Sequence, residues 1–338
     1  MNRISKLQLI SLMLIGDAFA LFCLRGGICI MTAIGFASGS IIQLFLALPL
    51  ARYYDSGKNL ADTGKAVRIL LLGYVILYGG TLFSALWHTS SVIYIPYENS
   101  GMYGRLMTGG LIALVCVYVS SSGIKALARS AVIAMGLGVL CVAMVTVSAV
   151  IQSDISNIFR PDGRSLPSEV IRGFAASGGL GSFIVLLSFT AEDKTDTASM
   201  YFTCKVILSF IMLFTSVIVT GGIMDVLDFP VTTAAQLSQP FPVQRTDSLF
   251  LIVFSVLAVF SIAVQASAAE YLAAGTIPRL KRFRCTEVLF MMVAIGTVLY
   301  DIGTGIISYA LSSFIIMMIV PLESLLKKGG GEMKREKA

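Results

Sequence analysis

Apolar runs long enough to cross a lipid bilayer follow one another along almost the whole chain. A transmembrane helix needs about 20 apolar residues to span a hydrocarbon core of about 30 Å. Ten runs approach this length, at roughly 7–24, 29–51, 69–91, 103–122, 130–152, 168–190, 202–224, 248–272, 286–300 and 304–321. The sequence therefore predicts an all-α integral membrane protein with about ten transmembrane helices.

The low content of charged residues supports this fold class. Only 13% of the 338 residues are charged and 56% are apolar, whereas soluble domains carry about 25% charged residues. The net charge of +6 comes from basic residues that lie between the apolar runs. This placement indicates contact with the surface of a lipid bilayer and not with nucleic acid.

The sequence lacks the common motifs of enzymes and cofactor-binding proteins. It has no phosphate-binding loop, no dinucleotide-binding glycine pattern, and no zinc-protease or serine-hydrolase motif. The six cysteines show neither metal-ligand nor disulfide spacing, and His88 is the only histidine. We therefore expect no enzyme activity, no catalytic residues, no cofactor and no metal site.

The distribution of lysine and arginine predicts the orientation in the membrane. With the N-terminus inside, 19 of the 25 basic residues fall on the cytoplasmic side, Lys194 and Lys205 among them, and six fall outside. Cytoplasmic loops are richer in these residues, so both termini are predicted to be cytoplasmic. The loops are too short for a separate core. We expect one transmembrane domain over 1–325 and a flexible cytoplasmic tail over 326–338.

Two glycine clusters lie near the predicted centre of the bilayer. At 1.5 Å per helical residue, Gly16 lies about 15 Å from the start of the first span, and Gly178 about 16 Å into the sixth. An acid, Asp17, follows Gly16, and an acid inside a membrane helix is by default a functional candidate. Such clusters predict unwound segments that line a cavity, although small residues also serve close helix packing.

The two clusters open two halves of five spans each, about 7–152 and 168–321, which would run in opposite directions. This arrangement is typical of transporters with inverted repeats and broken first helices. Free N–H groups at a broken helix bind a carboxylate, and free carbonyl groups bind a cation or an amine. The candidate ligand-binding residues are therefore Gly16, Asp17, Ser177, Gly178, Gly179 and Gly181. Tyr78 is a further candidate, because Tyr74 and Tyr78 lie on one face of the third span, where they could line a cavity.

Four short segments resemble one family along the chain. They are Ile4-Ser5-Lys6-Leu7-Gln8, Leu48–Tyr53 followed by Gly57–Leu60, Gly123–Ser130, and Phe241–Phe250. They are similar, in order, to segments of the membrane-embedded B subunits of bacterial spore nutrient germinant receptors. The resemblance implies the fold of the amino acid–polyamine–organocation superfamily. It also implies an A-type membrane subunit and a C-type lipoprotein as partners, the spore inner membrane as location, and an amino acid as germinant.

Three functional hypotheses follow from the sequence. The first is a permease-like receptor subunit that binds a small nutrient, an amino acid, and signals germination. The second is a proton- or sodium-coupled amino-acid permease of the bacterial cytoplasmic membrane. The third is a structural membrane subunit with a vestigial pocket. Sensing and transport use the same kind of fold and pocket, so the sequence leaves these alternatives open.

Overall fold

The computed structural model describes residues 4–93, 102–152, 156–157, 164–176, 179–223, 227–237, 247–276, 285–302, 318–320 and 322–323. Within these ranges the chain forms eleven α-helices. They are α1 (Lys6–Phe22), α2 (Ile30–Asp55), α3 (Lys65–Ile93), α4 (Met102–Ser121), α5 (Ile124–Gln152), α6 (Leu166–Ala176), α7 (Leu180–Leu187), α8 (Lys194–Thr220), α9 (Pro230–Leu237), α10 (Asp247–Thr276) and α11 (Cys285–Ile302).

These helices reproduce the predicted order of spans. Helices α1 to α5 are the first five spans, α6 and α7 together are the sixth, and α8, α10 and α11 are the seventh to ninth. In the described part of the chain, α2, α3, α5, α8 and α10 are each long and apolar enough to cross a membrane, and the α6–α7 pair makes a sixth such span. Most of the tenth span lies outside the described residues.

The sixth span is broken, as the glycine cluster predicted. Helix α6 ends at Ala176 and α7 begins at Leu180, with an angle of 50° between them. Gly179 lies at the N-terminal boundary of α7, and Ser177 and Gly178 lie outside the described residues. The break leaves the last carbonyl groups of α6 and the first N–H groups of α7 without partners inside a helix.

The break predicted in the first span is wrong, because α1 runs without interruption through Gly16. An unpaired backbone group in hydrocarbon costs several kcal/mol, whereas glycine lowers helix propensity by only about 1 kcal/mol. A Cβ atom at Gly16 would meet no atom within 4 Å. This glycine therefore leaves open space beside α1 and does not end the helix.

The helix packing follows a five-plus-five inverted repeat. Helix α2 packs on α6, and its counterpart α8 packs on α1. In the same way α3 packs on α11, and α10 packs on α4, while α2 also packs on α8 and α3 on α10. If each span is exchanged with its counterpart in the other half, five spans away, the α2–α6 contact becomes the α8–α1 contact and the α3–α11 contact becomes the α10–α4 contact. The α2–α8 and α3–α10 contacts each become themselves. The fold is thus an all-α membrane bundle of two related halves.

Glycines bring α6 unusually close to α2. A Cβ at Gly173 would lie 2.5 Å from Cα of Phe36, and a Cβ at Gly39 would lie 2.6 Å from the backbone nitrogen of Phe174. Only glycine fits at these contacts. Gly39 is followed one turn later by Gln43, so the same face of α2 that packs on α6 also carries a polar side chain.

The placement of Lys205 on the cytoplasmic side is wrong. Helix α8 begins at Lys194, and Asp193 caps its first turn by accepting hydrogen bonds from the N–H groups of Thr195 and Asp196. Lys205 therefore lies three turns inside the helix, and it is only 3% exposed. The predicted span began at residue 202, so Lys205 was counted at its cytoplasmic end, whereas the helix begins eight residues earlier at Lys194. A charge that has a partner can be buried in a membrane.

Candidate functional site

The carboxylate of Asp17 is buried where α1 meets α8. The hydroxyl of Tyr201 donates a hydrogen bond to Oδ2 of Asp17 at 2.6 Å, and Nζ of Lys205 lies 3.2 Å from Oδ1. Tyr201 and Lys205 are four residues apart on α8, so both side chains lie on the same face of that helix. The acid that the sequence singled out therefore forms an ion pair inside the bundle.

Lys205 also connects this pair to α2 and to the broken span. Its Nζ donates a hydrogen bond to Oε1 of Gln43 at 3.0 Å, and Nε2 of Gln43 donates to the carbonyl oxygen of Phe174 at 2.7 Å. That carbonyl is among the last four of α6, which have no partner inside the helix. We refer to Asp17, Tyr201, Lys205 and Gln43 as the Asp17 network; it joins α1, α2, α6 and α8.

The charges of the network are compensated by other groups of the protein. Asp17 is 8% exposed and Lys205 is 3% exposed, so each would be costly in the membrane without the other. The C-terminal end of α6 carries a partial negative charge that favours a nearby cation. The rings of Tyr201 and Phe202 lie 5.7 and 5.6 Å from Nζ, where aromatic faces attract a positive charge.

A narrow crevice opens beside the ion pair. It has room for about one water molecule, about 10 Å³. Two serine hydroxyls in its wall donate to carbonyl groups of their own helices, Ser40 to Phe36 and Ser209 to Val206. The crevice thus combines one ion pair with mainly apolar walls, lined by Asp17, Ala20, Leu21, Phe36, Ser40, Ala176, Lys205, Leu208 and Ser209.

A second polar group lies at the N-terminal end of α7. The hydroxyl of Ser182 donates to the carbonyl oxygen of Gly179 at 2.8 Å and accepts a hydrogen bond from Nε2 of Gln265 at 3.0 Å. Oε1 of Gln265 is buried and has no hydrogen-bond partner among the residues that the structure describes. The methyl group of Met13 lies close to Gly179. Helices α1, α7 and α10 therefore meet at this polar group.

The bundle is tied together at both ends of the site. At the start of α6, Arg172 donates to the carbonyl oxygen of Gly27 at 3.0 Å and pairs with Glu169, which also pairs with Arg164. At the opposite end, Ile4 donates to the carbonyl oxygen of Phe189 at 3.2 Å. The crevice between these contacts is too small for a ligand larger than water, so the helices that line it must move when such a ligand binds.

The structure distributes the predicted site residues over several places. Asp17 is the centre of the network, and Gly16 borders open space one residue before it. Gly179 lies at the start of α7. Tyr78 is buried on α3. Gly181 lies against Tyr74 and Val75, where a Cβ would be 2.7 Å from the tyrosine ring, so this glycine permits α7 to pack on α3.

Three residues of the network, Tyr201, Lys205 and Gln43, were not predicted as site residues from the sequence. Lys205 had a visible signal, because it is a single charge within an otherwise apolar run and lies four residues after Tyr201. Gln43 had a weaker one, since Gly35, Gly39 and Gln43 recur every four residues along one face of α2. Neither pattern shows which residue the side chain contacts, because the contacts join residues more than 100 positions apart in the sequence.

Known proteins resemble this chain in structure. No family model and no curated protein matches its sequence. A Na⁺-coupled sialic acid symporter, substrate-bound and outward-open, aligns over 93% of this chain and 76% of its own, with a TM-score of 0.61 and 12% identity. This chain has an inverted-repeat transporter fold.

Two further solved structures support this fold. A nucleobase-cation-symport-1 family transporter, closed with bromovinylhydantoin bound, gives a TM-score of 0.59 at 14% identity over 94% of this chain and 78% of its own. MhsT in complex with L-phenylalanine gives 0.58 at 15% identity over 96% of this chain and 88% of its own. At these identities the similarity concerns the fold.

Proposed function

We propose that this chain is a permease-like membrane subunit that binds a small amino acid beside the Asp17 network. The observation that carries the proposal is the buried pair of Asp17 and Lys205, which lines a crevice next to the break in the sixth span. The three structures of similar fold hold, by their descriptions, a substrate, bromovinylhydantoin or L-phenylalanine. A fold of this kind with two buried charges suits a small polar solute.

The sequence resemblance supports a sensing role for this subunit in a spore germinant receptor. In this role the A-type membrane subunit and the C-type lipoprotein would respond to a change in the relative positions of the helices. A ligand that engages Asp17 or Lys205 alters contacts between α1, α2, α6 and α8 together. It would therefore shift the population between two arrangements of the bundle.

Binding can be tested with the purified full chain in detergent. We expect some of the common amino acids to raise its thermal unfolding temperature, because a ligand that binds only the folded state stabilises it. The double variant Asp17→Asn, Lys205→Met, which leaves no unpaired charge, should retain the fold and lose this response. If no amino acid changes the unfolding temperature of the folded wild-type chain, the proposed function is wrong.

A proton- or sodium-coupled amino-acid permease is the second candidate. The observation that favours it is the titratable ion pair inside the membrane, a common element of proton pathways. Uptake of labelled amino acids by proteoliposomes that contain this chain alone would support transport. Binding without uptake, together with neighbouring genes for an A-type subunit and a lipoprotein, would support sensing.

A structural subunit with a vestigial pocket is the third candidate. The observation that favours it is the size of the crevice, which holds about one water molecule. The variants Asp17→Asn and Gly179→Leu separate this candidate from the other two. If both leave germination unchanged while the receptor still assembles, the pocket has no role in signalling.

A further inference from the structure

The candidate site already contains a cation of its own. Nζ of Lys205 lies 3.2 Å from Asp17 and 3.0 Å from the side-chain oxygen of Gln43. In the described part of the chain, the remaining buried charged residue is Glu169, which forms separate ion pairs with Arg164 and Arg172. The crevice beside Asp17 therefore has one negative and one positive group, and its net charge is zero.

This charge balance discriminates between classes of solute. A metal cation or a simple amine that binds Asp17 displaces Lys205 and leaves the ammonium group without its partner. A simple carboxylate that binds Lys205 leaves Asp17 unpaired. Either outcome places an uncompensated charge in the membrane interior, which is strongly unfavourable.

A zwitterion avoids this cost because it replaces one ion pair by two. Its ammonium group pairs with Asp17, and its carboxylate pairs with Lys205, whose four-carbon side chain can turn toward the ligand. The walls of the crevice include Ala20, Leu21 and Leu208. These side chains suit a small apolar substituent on the ligand.

We propose that Lys205 is a built-in counter-cation, which makes the site selective for net-neutral amino acids and independent of a bound sodium ion. The ligand part of this inference rests on the proposed function. The sodium part rests on the ion pair alone, because the position beside Asp17 that a metal cation would occupy is taken by Nζ of Lys205.

The ligand part is tested by comparing matched solutes on the wild-type chain in detergent. The set is L-leucine, its amine analogue isopentylamine, its acid analogue 4-methylpentanoate, and L-lysine and L-glutamate, each measured by calorimetry in sodium and in choline buffer. We expect leucine or a smaller apolar amino acid to bind equally in both buffers. The singly charged analogues should bind about 100-fold more weakly or worse, because one buried charge loses its partner.

Two outcomes would overturn the ligand part. One is an amino-acid affinity that rises with sodium concentration. The other is an amine or acid analogue that binds as tightly as the amino acid itself. If no solute binds in either buffer, the proposed function fails instead, and the counter-cation is then tested by the ligand-free experiment below.

The sodium part is tested without any ligand, through the variant Lys205→Met. Removal of the ammonium group leaves Asp17 unpaired, so a cation can bind there. We expect the unfolding temperature of this variant to be lower than that of the wild type in choline buffer and to recover partly in sodium buffer. The wild type and the control Lys125→Met, which removes an exposed lysine, should unfold at the same temperature in both buffers.

The double variant Asp17→Asn, Lys205→Met is the control for misfolding caused by the Lys205 substitution itself. Because it removes both charges, it should fold and show no sodium dependence. If the double variant folds and Lys205→Met does not, the result also supports the proposal, because Asp17 then requires a counter-cation. Sodium stabilisation of the wild type, or Lys205→Met unfolding like the control in both buffers, contradicts the proposal.

Discussion

A carboxylate can lie inside a membrane helix at position 17 because α8 supplies the contacts that water would otherwise provide. Tyr201 donates a hydrogen bond of 2.6 Å and Lys205 supplies the opposite charge. We predict that Tyr201→Phe lowers the free energy of unfolding by about 1–3 kcal/mol, since it leaves one carboxylate oxygen unsatisfied. Denaturation of the purified chain in mixed micelles measures this change.

The control for this variant is Tyr118→Phe, which removes a hydroxyl from a side chain that is 75% exposed and should leave stability unchanged. A double-mutant cycle with Asp17→Asn isolates the Tyr201–Asp17 contact. Additive effects of the two substitutions would show that the hydrogen bond contributes nothing to stability. A substantial coupling energy is expected.

The network also shows how far single residues can be interpreted from sequence. Asp17 is recognisable without a structure, because an acid in an apolar run has few explanations other than function. Its partners are not recognisable, since Tyr201 is 184 positions away. Lys205 was counted on the cytoplasmic side because it lies three residues after the predicted start of the seventh span. Only its contact with Asp17 shows that it is buried inside the bundle.

Among the helices, glycine near mid-membrane predicted a break in two spans, and only one of these spans is broken. Gly16 and the cluster before Leu180 both predicted a break at mid-membrane, yet α1 is continuous and the sixth span is broken. The difference lies in the packing partners. The carbonyl oxygen of Phe174, near the end of α6, is satisfied by Gln43 of α2, so the break is compensated by another helix. Such compensation depends on long-range contacts that the local sequence does not contain.

The α2–α6 interface gives a direct test of close packing. We predict that Gly173→Ala lowers the free energy of unfolding by about 1–3 kcal/mol, because the added methyl group would overlap the backbone of Phe36. Gly136→Ala is the matched control, since a Cβ there meets no atom within 4 Å. Alanine is the better helix former by about 1 kcal/mol, so the control should be neutral or slightly stabilising. Equal effects at both positions would contradict the packing.

For the whole molecule, the order of the spans and the two-fold repeat were predictable from sequence. The first nine apolar runs match the helices of the described residues, and the packing of those helices follows the predicted repeat. The closure of the bundle was not predictable. It depends on contacts such as those of Arg172 with Gly27 and of Ile4 with Phe189, which join distant segments through backbone carbonyl groups and leave no pattern in the sequence.

The orientation of the whole bundle rests on the distribution of basic residues and is open to a direct test. Moving Lys205 into the membrane lowers the predicted cytoplasmic count only from 19 to 18 of the 25 basic residues, so the predicted orientation is unchanged. We predict that the loop after α1 faces outward and that the loop after α2 faces the cytoplasm. Since α2 crosses the membrane between them, these two loops must lie on opposite sides.

Single cysteines in a background without the six native cysteines decide this orientation. Arg25→Cys, in the loop after α1, should react with a membrane-impermeant maleimide in intact cells, as should the control Asp228→Cys in the loop before α9. Lys58→Cys, after α2, should react only once the membrane is permeabilised. The reverse pattern would invert the molecule and place the start of α6, with its Glu169 ion pairs, at the cytoplasmic surface. A ligand would then reach the Asp17 network past those ion pairs from inside the cell, which a sensor of external nutrients could not use.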